Sequence, residues 1–206
     1  MTDQPRASVV GNALMSFFPD IRKEVRERVQ MAMLFAQRAT QDALDNQLVG
    51  DGYSFYRRQL MFLGWDAKSP RESFDPNLQR RKALNDVLGQ INASADSQYS
   101  DMTRWSIEAL QASEAALYRF EARSLASESF QLLPCRMIKP GYVDLVLYHE
   151  TLEREEQLSG FLYRERVVTG SRIELVRFNV RLFEQKFGAW IEKSLEQALR
   201  QDVYEL

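Results

Sequence analysis

Apolar positions in the first three-fifths of the chain recur every three or four residues, the period of an amphipathic helix. Asp20 can cap a first helix, and the glycines of Leu48–Gly52 can end it. Further helices are predicted from about Tyr53 to Leu63, after the cap Asp75, and from Asp101. The first apolar stripe comprises Ile21, Val25, Val29, Ala32, Ala36, Ala39 and Ala43. The pattern therefore predicts about four helices over residues 19–124.

After Ser127 the apolar positions favour β-strands instead of helices. Turn sequences at Pro140-Gly141, Glu153–Glu156 and Thr169–Ser171 separate four runs. The predicted strands are Phe130–Lys139, Tyr142–Leu152, Leu158–Val168 and Arg172–Phe183. Because short connections make neighbouring strands antiparallel, we expect a four-stranded antiparallel meander over about 127–183.

Two of these strands carry irregularities. Pro134 lacks a donor N–H and favours an edge position for the first strand. In the fourth strand, Ile173 and Leu175 share one parity, whereas Val176 and Phe178 share the other. This indicates either a bulge near Leu175 or a strand that is buried on both faces.

The chain closes with an amphipathic pattern over about 184–203. Its apolar face consists of Phe187, Trp190, Ile191, Leu195, Ala198 and Leu199. We expect this helix to pack on the sheet. The fold class predicted from the whole pattern is α+β, with residues 1–206 in a single domain.

Composition narrows the function classes. The chain has 206 residues, 45% hydrophobic and 27% charged, and a net charge of −2, which argues against general nucleic-acid binding. The single cysteine, Cys135, excludes an internal disulfide and fits a reducing compartment. The apolar stretch Val9–Phe18 is too short to span a bilayer, and no conventional signal peptide is recognised. A cytoplasmic protein, or one exported by a signal-independent route, is expected.

The candidate chemistry is limited by a single histidine, His149. Histidine metal clusters are therefore excluded, and any nucleophile that needs a histidine base would have to use this one. Cys135 falls roughly opposite Val146 across the Pro140-Gly141 turn, which disfavours a Cys–His dyad. The acidic run Glu150–Glu156 is interpreted as solvated rather than as a cation site. We predict no catalytic, metal or cofactor residues, and an enzyme built on buried carboxylates stays open as an alternative.

Arginines are dense in the last two predicted strands. The set comprises Arg164, Arg166, Arg172, Arg177 and Arg181. Guanidinium groups that share a sheet face can bind carboxylates, phosphates or lipid headgroups. The predicted anion or partner surface consists of Arg164, Arg166, Arg177 and Arg181. Cross-strand ion pairs with Glu165 and Glu174 are the alternative.

The segment Tyr53–Trp65 carries a spaced aromatic motif. Its members are Tyr53, Tyr56, Leu60, Gly64 and Trp65. It resembles a motif in a family of uncharacterised bacterial and fungal proteins of about 200 residues. A second similarity is Phe130-Gln131 followed by Cys135 and a glycine turn. The resemblance implies no chemistry, and the aromatic residues also suit helix packing.

Two functional hypotheses follow. The lack of catalytic signatures and the balanced charge favour a non-enzymatic interaction protein that binds itself or a protein partner. The alternative is a membrane-active protein, pore-forming or virulence-associated, suggested by the apolar segment Val9–Phe18 and by a layout of helices and a β-hairpin that is able to rearrange at a bilayer.

Overall fold

A computed structural model describes residues 4–67, 72–74, 77–152, 160, 162, 165–168 and 170–206. The strands are β1 (Arg6–Val10), β2 (Ala13–Phe17), β3 (Trp65–Ala67), β4 (Glu72–Phe74), β5 (Asn77–Lys82), β6 (Ser129–Lys139), β7 (Tyr142–Thr151), β8 (Glu165–Val168), β9 (Ser171–Asn179) and β10 (Val203–Glu205). The helices are α1 (Lys23–Asp45), α2 (Gly52–Phe62), α3 (Ala83–Ser94), α4 (Ser97–Gln111), α5 (Glu114–Ala126), α6 (Val180–Phe183) and α7 (Ala189–Asp202). A π-helical turn, Glu184–Gly188, joins α6 to α7.

The main sheet has eight strands and is mixed. Its order is β10-β1-β2-β6-β7-β9-β3, and β4 also pairs with β9. The pair β2–β6 is parallel, whereas the other pairs in this sheet are antiparallel. β5 and β8 form a separate two-stranded sheet.

The predicted four-stranded antiparallel meander is therefore wrong. β7 pairs directly with β9, so the predicted third strand does not lie between them. Of that run, β8 pairs with β5, and residues 158, 159, 161, 163 and 164 lie outside the described residues. The fourth strand ends at Asn179, because its side chain accepts the Leu182 N–H at 3.1 Å and caps α6.

The predicted count of about four helices before the sheet is also wrong. Five helices precede β6 in the part of the chain that the structure describes. The run predicted from Asp101 is two helices, because α4 ends near Ala112 and Ser113 begins α5. α4 itself begins earlier, where Asp96 accepts the N–H groups of Gln98 and Tyr99. The predicted cap Asp75 lies outside the described residues.

The apolar segment near the N-terminus forms a hairpin inside the sheet, between β10 and β6. β1 and β2 pair from Arg6↔Phe17 to Val10↔Ala13, and Gly11 makes the turn with a φ of +56°. β2 also pairs with β6, which places Pro134 between two strands rather than at the predicted edge. The edge prediction failed because the second neighbour of β6 comes from a distant part of the sequence.

Helices cover both faces of this sheet, giving three layers. The first face, here called the α1–α2 face, packs against α1, α2 and α7 through residues such as Met33, Leu60, Leu145, Phe178 and Ile191. The second, the α3–α5 face, packs against α3, α4 and α5 through residues such as Ile91, Ile107, Phe120, Phe130 and Tyr148.

This layering explains the mixed parity of the fourth predicted strand. Ile173 packs on the α3–α5 face, whereas Val176 and Phe178 pack on the α1–α2 face. The register between β9 and β7 runs without a shift. The strand is therefore buried on both faces and has no bulge in its pairing with β7.

Within the described ranges, no helix combines the length and the apolar character needed to cross a membrane.

Candidate functional site

A cavity of about 750 Å³ opens at one end of the sheet, on the α1–α2 face. Its walls come from α1, from the beginning of α2, and from the turn between α5 and β6. The volume falls within the range of small-molecule sites, about 300–1,000 Å³. This cavity is the candidate functional site.

Three polar side chains from neighbouring strands line the cavity. Gln131 on β6 lies opposite His149 on β7, which lies opposite Arg172 on β9. Residues directly opposite each other on antiparallel strands project from the same face. We call Gln131, His149 and Arg172 the polar row.

Helix α2 packs two tyrosines against this row. Its N-cap, Asp51, accepts the Ser54 N–H at 3.1 Å and the Ser54 hydroxyl at 2.6 Å. Tyr53 and Tyr56 are three residues apart and so lie on one helix face. The Tyr53 ring lies 4.6 Å from the His149 ring, between centroids, and the Tyr56 hydroxyl donates to Gln131 Oε1 at 2.8 Å.

A buried ion pair holds α2 against β9 beside the row. Glu174 is 1% exposed and accepts the Tyr53 hydroxyl at 2.8 Å. Arg57 Nε donates to the two Glu174 carboxylate oxygens at 2.9 and 3.0 Å. The hydrogen bond to Glu174 raises the pKa of Arg57, so the guanidinium stays charged. The contacts fix the position of Tyr53 relative to the sheet.

His149 is neutral at pH 7. Burial, followed by the charge of Arg172, lowers its pKa to about 3, and Asp51 opposes this shift. Nδ1 is buried and has no hydrogen-bond partner among the residues that the structure describes. A neutral imidazole has one donor and one acceptor nitrogen. His149 lies on β7 and lines the cavity, a position that the sequence does not predict.

Charges surround the cavity opening. Arg38 Nη1 lies 3.4 Å from Asp202 Oδ2, and Arg123 pairs with the same carboxylate. Arg172 stacks on the Tyr53 ring at 4.6 Å, and its Nη1 lies 3.8 Å from Asp51 Oδ1. Arg172 is thus the cavity arginine with the most distant acidic partner.

The predicted arginine surface lies elsewhere. Arg177 makes two hydrogen bonds to Asp144, at 2.6 and 2.7 Å, which is the geometry of the cross-strand alternative. Arg181 packs over Gly141, and Arg166 belongs to β8 in the separate sheet. Arg164 lies outside the described residues. An anion or partner surface formed by these arginines stays a prediction.

The family-like motif divides between the site and the core. Tyr53 and Tyr56 line the cavity. Leu60 and Trp65 are buried in the core of the α1–α2 face, and Trp65 packs its ring 5.1 Å from Phe178. Gly64 follows α2 with a φ of +97°, a conformation that favours glycine.

The other residues weighed from the sequence do not join the site. Cys135 lies opposite Leu145, four residues from the position opposite His149, and burial raises the pKa of its thiol. Glu150 is fully buried on the α3–α5 face and accepts the Tyr148 hydroxyl at 2.5 Å. The acidic residues 153–156 lie outside the described residues.

Sequence reasoning missed Gln131 as a site residue. It appeared only as part of the Phe130-Gln131 similarity, although the Pro140-Gly141 turn places it close to His149 when residues are counted outward. A polar residue inside an apolar strand was the signal that could have identified it.

Comparison with known proteins gives little further information. No protein-family model and no curated protein matches the sequence. A solved structure described as "Structure of the Evf virulence factor" is 11% identical, and the alignment covers 94% of this chain and 82% of that chain with a TM-score of 0.33. A similarity this low supports no inference about function.

Proposed function

We propose that this protein is a non-enzymatic binding protein that takes a small molecule into the cavity above the polar row. The observation that carries the proposal is the cavity of about 750 Å³, which the three side chains of the polar row line together with Tyr53 and Tyr56. A small molecule in this cavity would meet hydrogen-bonding side chains from three neighbouring strands. A few convergent polar groups in a concave site are typical of small-molecule binding.

The electrostatics favour binding over catalysis. With a pKa of about 3, His149 is a weak general base at neutral pH, where an efficient base titrates near the working pH. Cys135 is buried in the core and is not among the residues that line the cavity. The tyrosines beside the row are held by Glu174 and Gln131, an arrangement that suits a preformed site.

The single histidine makes a direct test possible. We would label the histidine with ¹⁵N and follow the His149 imidazole signals by NMR while screening a library of small polar and aromatic compounds. Since the chain has one histidine, these signals need no further assignment. Compounds that shift them in wild type and lose affinity in His149→Gln support the proposal. A library without a compound that shifts the signals would overturn it.

A second candidate function is association between copies of this chain. Phe62 and Trp190 are 61% and 56% exposed, although large aromatic side chains are usually buried. Phe62 contacts Phe187, and Trp190 contacts Phe35, with ring centroids 4.8 and 5.3 Å apart. These four residues are the aromatic surface.

Charges of both signs flank the aromatic surface, which suits a self-complementary contact. Arg28 on α1 lies 3.6 Å from Glu184 and 3.3 Å from Glu192. Light scattering should show a dimer. Phe62→Ser should weaken this dimer, whereas Tyr118→Ser, at another exposed aromatic position, should leave it unchanged. A strict monomer at high concentration would contradict the idea.

The membrane-active alternative gains no support from the fold. The segment that suggested it is the β1–β2 hairpin, whose residues from Ala7 to Phe17 are all buried in the sheet.

A further inference from the structure

The chemistry of the cavity also narrows the class of ligand. Arg172 is the charged member of the polar row, and it has hydrogen-bonding capacity to spare. Its contact with Asp51 is 3.8 Å long, beyond hydrogen-bond range, and Asp51 already accepts two hydrogen bonds from Ser54. Stacking on Tyr53 leaves the edge of the guanidinium, with its N–H donors, available.

The other cavity arginines differ from Arg172 in this respect. Arg38 and Arg123 both pair with Asp202, whose side chain is only 6% exposed. The Arg172 side chain is 33% exposed and that of Asp51 is 55% exposed, so solvent weakens the Arg172–Asp51 pair. An anion that enters the cavity would therefore find its strongest available donor at Arg172.

The charge balance at the cavity limits how much negative charge a ligand bound to Arg172 can carry. Three arginines and four acidic residues line it, the acids being Asp42, Asp51, Glu128 and Asp202. A ligand with several negative charges, such as a nucleotide or a sugar bisphosphate, would be repelled by this acidic surround. A carboxylate carries one charge and matches the guanidinium edge with two parallel hydrogen bonds.

The remaining members of the polar row require neutral ligand groups. His149 is uncharged, and Gln131 uses Oε1 to accept from Tyr56, so its amide N–H groups can donate. Neighbouring strands lie about 4.8 Å apart, which puts Gln131 about 10 Å from Arg172 across the row. A ligand that reaches all three residues has a carboxylate at one end and a neutral hydrogen-bonding group up to about 10 Å away.

We propose that the cavity binds a small monocarboxylate, with the carboxylate on Arg172 and a neutral polar group on His149 and Gln131. This inference rests on the proposed small-molecule binding function. It goes further by naming the ligand class and the residue that selects it.

The test compares matched probes on the full chain. 4-Hydroxyphenylacetate carries the carboxylate and a neutral hydroxyl, 4-hydroxyphenylacetamide lacks the charge, and phenyl phosphate replaces the carboxylate with a more highly charged group. We expect the carboxylate to bind at least about tenfold more tightly than the amide, as measured by calorimetry and by the His149 NMR signal, because hydrogen bonds to charged groups are stronger than those between neutral groups.

Substitutions test whether Arg172 causes the preference for the carboxylate over the amide. Arg172→Met should abolish it, Arg172→Lys should retain part of it, and Arg200→Met should leave it unchanged, because Arg200 is an exposed arginine paired with Glu196 on α7. The wild-type comparison of acid with amide holds even if Arg172→Met fails to fold.

The outcomes separate the two proposals. Equal affinity for the acid and the amide, a preference that survives Arg172→Met, or tighter binding of phenyl phosphate would overturn the monocarboxylate proposal while leaving small-molecule binding intact. If neither the probes nor the compound library shift the His149 signal, the proposed function itself fails.

Discussion

Replacing Arg57 with methionine tests whether the buried ion pair holds α2 on the sheet. Methionine keeps much of the length and apolar stem of arginine but removes the cation from the fully buried Glu174 carboxylate. The carboxylate then has the Tyr53 hydroxyl as its one remaining donor among the described residues. An unpaired buried charge is among the most destabilising changes that a single substitution can make.

The size of the effect follows from two limits. Removing one partner of a buried pair costs about 3–5 kcal/mol, and the 29% exposure of the Arg57 side chain lowers that figure here. Protonation of Glu174 limits the loss of stability, because neutralising an ordinary glutamate costs about 4 kcal/mol at pH 7 and about 1 kcal/mol at pH 5. We expect Arg57→Met to lower the free energy of unfolding by about 2–3 kcal/mol at pH 7, and by about 1 kcal/mol or less at pH 5.

Urea denaturation followed by tryptophan fluorescence at both pH values measures these differences. Arg58→Met is the matched control, because Arg58 is exposed on the same helix and contacts the Phe55 ring at 5.5 Å. The double variant Arg57→Met/Glu174→Gln should recover more than half of the loss at pH 7, since the amide is neutral and can still accept from Tyr53. A loss no larger than that of Arg58→Met, or one that does not shrink at pH 5, would refute the reasoning.

Three further predictions concern single positions. Burial and Arg172 lower the pKa of His149 to about 3 from 6.5 in the unfolded chain, so stability should be full above pH 6.5 and fall by up to about 1.4 kcal/mol per pH unit toward pH 3. Urea denaturation at pH 7 and pH 5 should show a smaller decline for His149→Gln, and equal declines would contradict the buried neutral state. Gly64→Ala should lower the free energy of unfolding by about 1–2 kcal/mol, because φ is +97° and the new Cβ would lie 3.2 Å from Leu182 Cδ2. Gly89→Ala should raise it by about 0.5–1 kcal/mol, because Gly89 lies inside α3 with open space around it. Thermal denaturation that shifts in the same direction for both variants would be inconsistent with this. Asp96→Ala should lower the melting temperature through the loss of about 1 kcal/mol of capping at α4, and an unchanged value would argue against the cap.

Local features of the fold were predictable from sequence. The hairpin of β6 and β7 has nearly its predicted limits, because the turn at Gly141 and the flanking apolar runs lie next to each other in the chain. The beginning of α2 was predicted for the same reason. Such elements depend on interactions within a few residues, which leave a readable pattern.

The arrangement of the strands was not predictable in the same way. The parallel pair β2–β6 joins Ala13 to Gln131, and β1 pairs with β10 from the opposite end of the sequence. Sequence order suggested that consecutive strands are neighbours, but β9 replaced the expected third strand beside β7. Pairing between distant segments depends on how the helices cover both faces, and no local pattern records that.

The candidate site was predicted only in fragments for the same reason. His149 drew attention as the single histidine, and Tyr53 and Tyr56 as members of a motif, but nothing in their local sequence joins them. Their meeting depends on α2 packing over β7 and β9. Arg172 was part of the dense arginine set, and strand parity already separates it from Arg177, but its place beside His149 and Tyr53 becomes visible only in the folded chain.

The pairing of β1 with β10 has a consequence for self-assembly. Ser8 lies opposite Glu205, so segments almost 200 residues apart in sequence close one side of the sheet, and β10 presents only three residues at that margin. An edge this short gives a foreign strand few free backbone groups to extend. Deleting β10 would uncover the five apolar-rich residues of β1, and the expected outcome is fibrillar aggregation that templates on this strand.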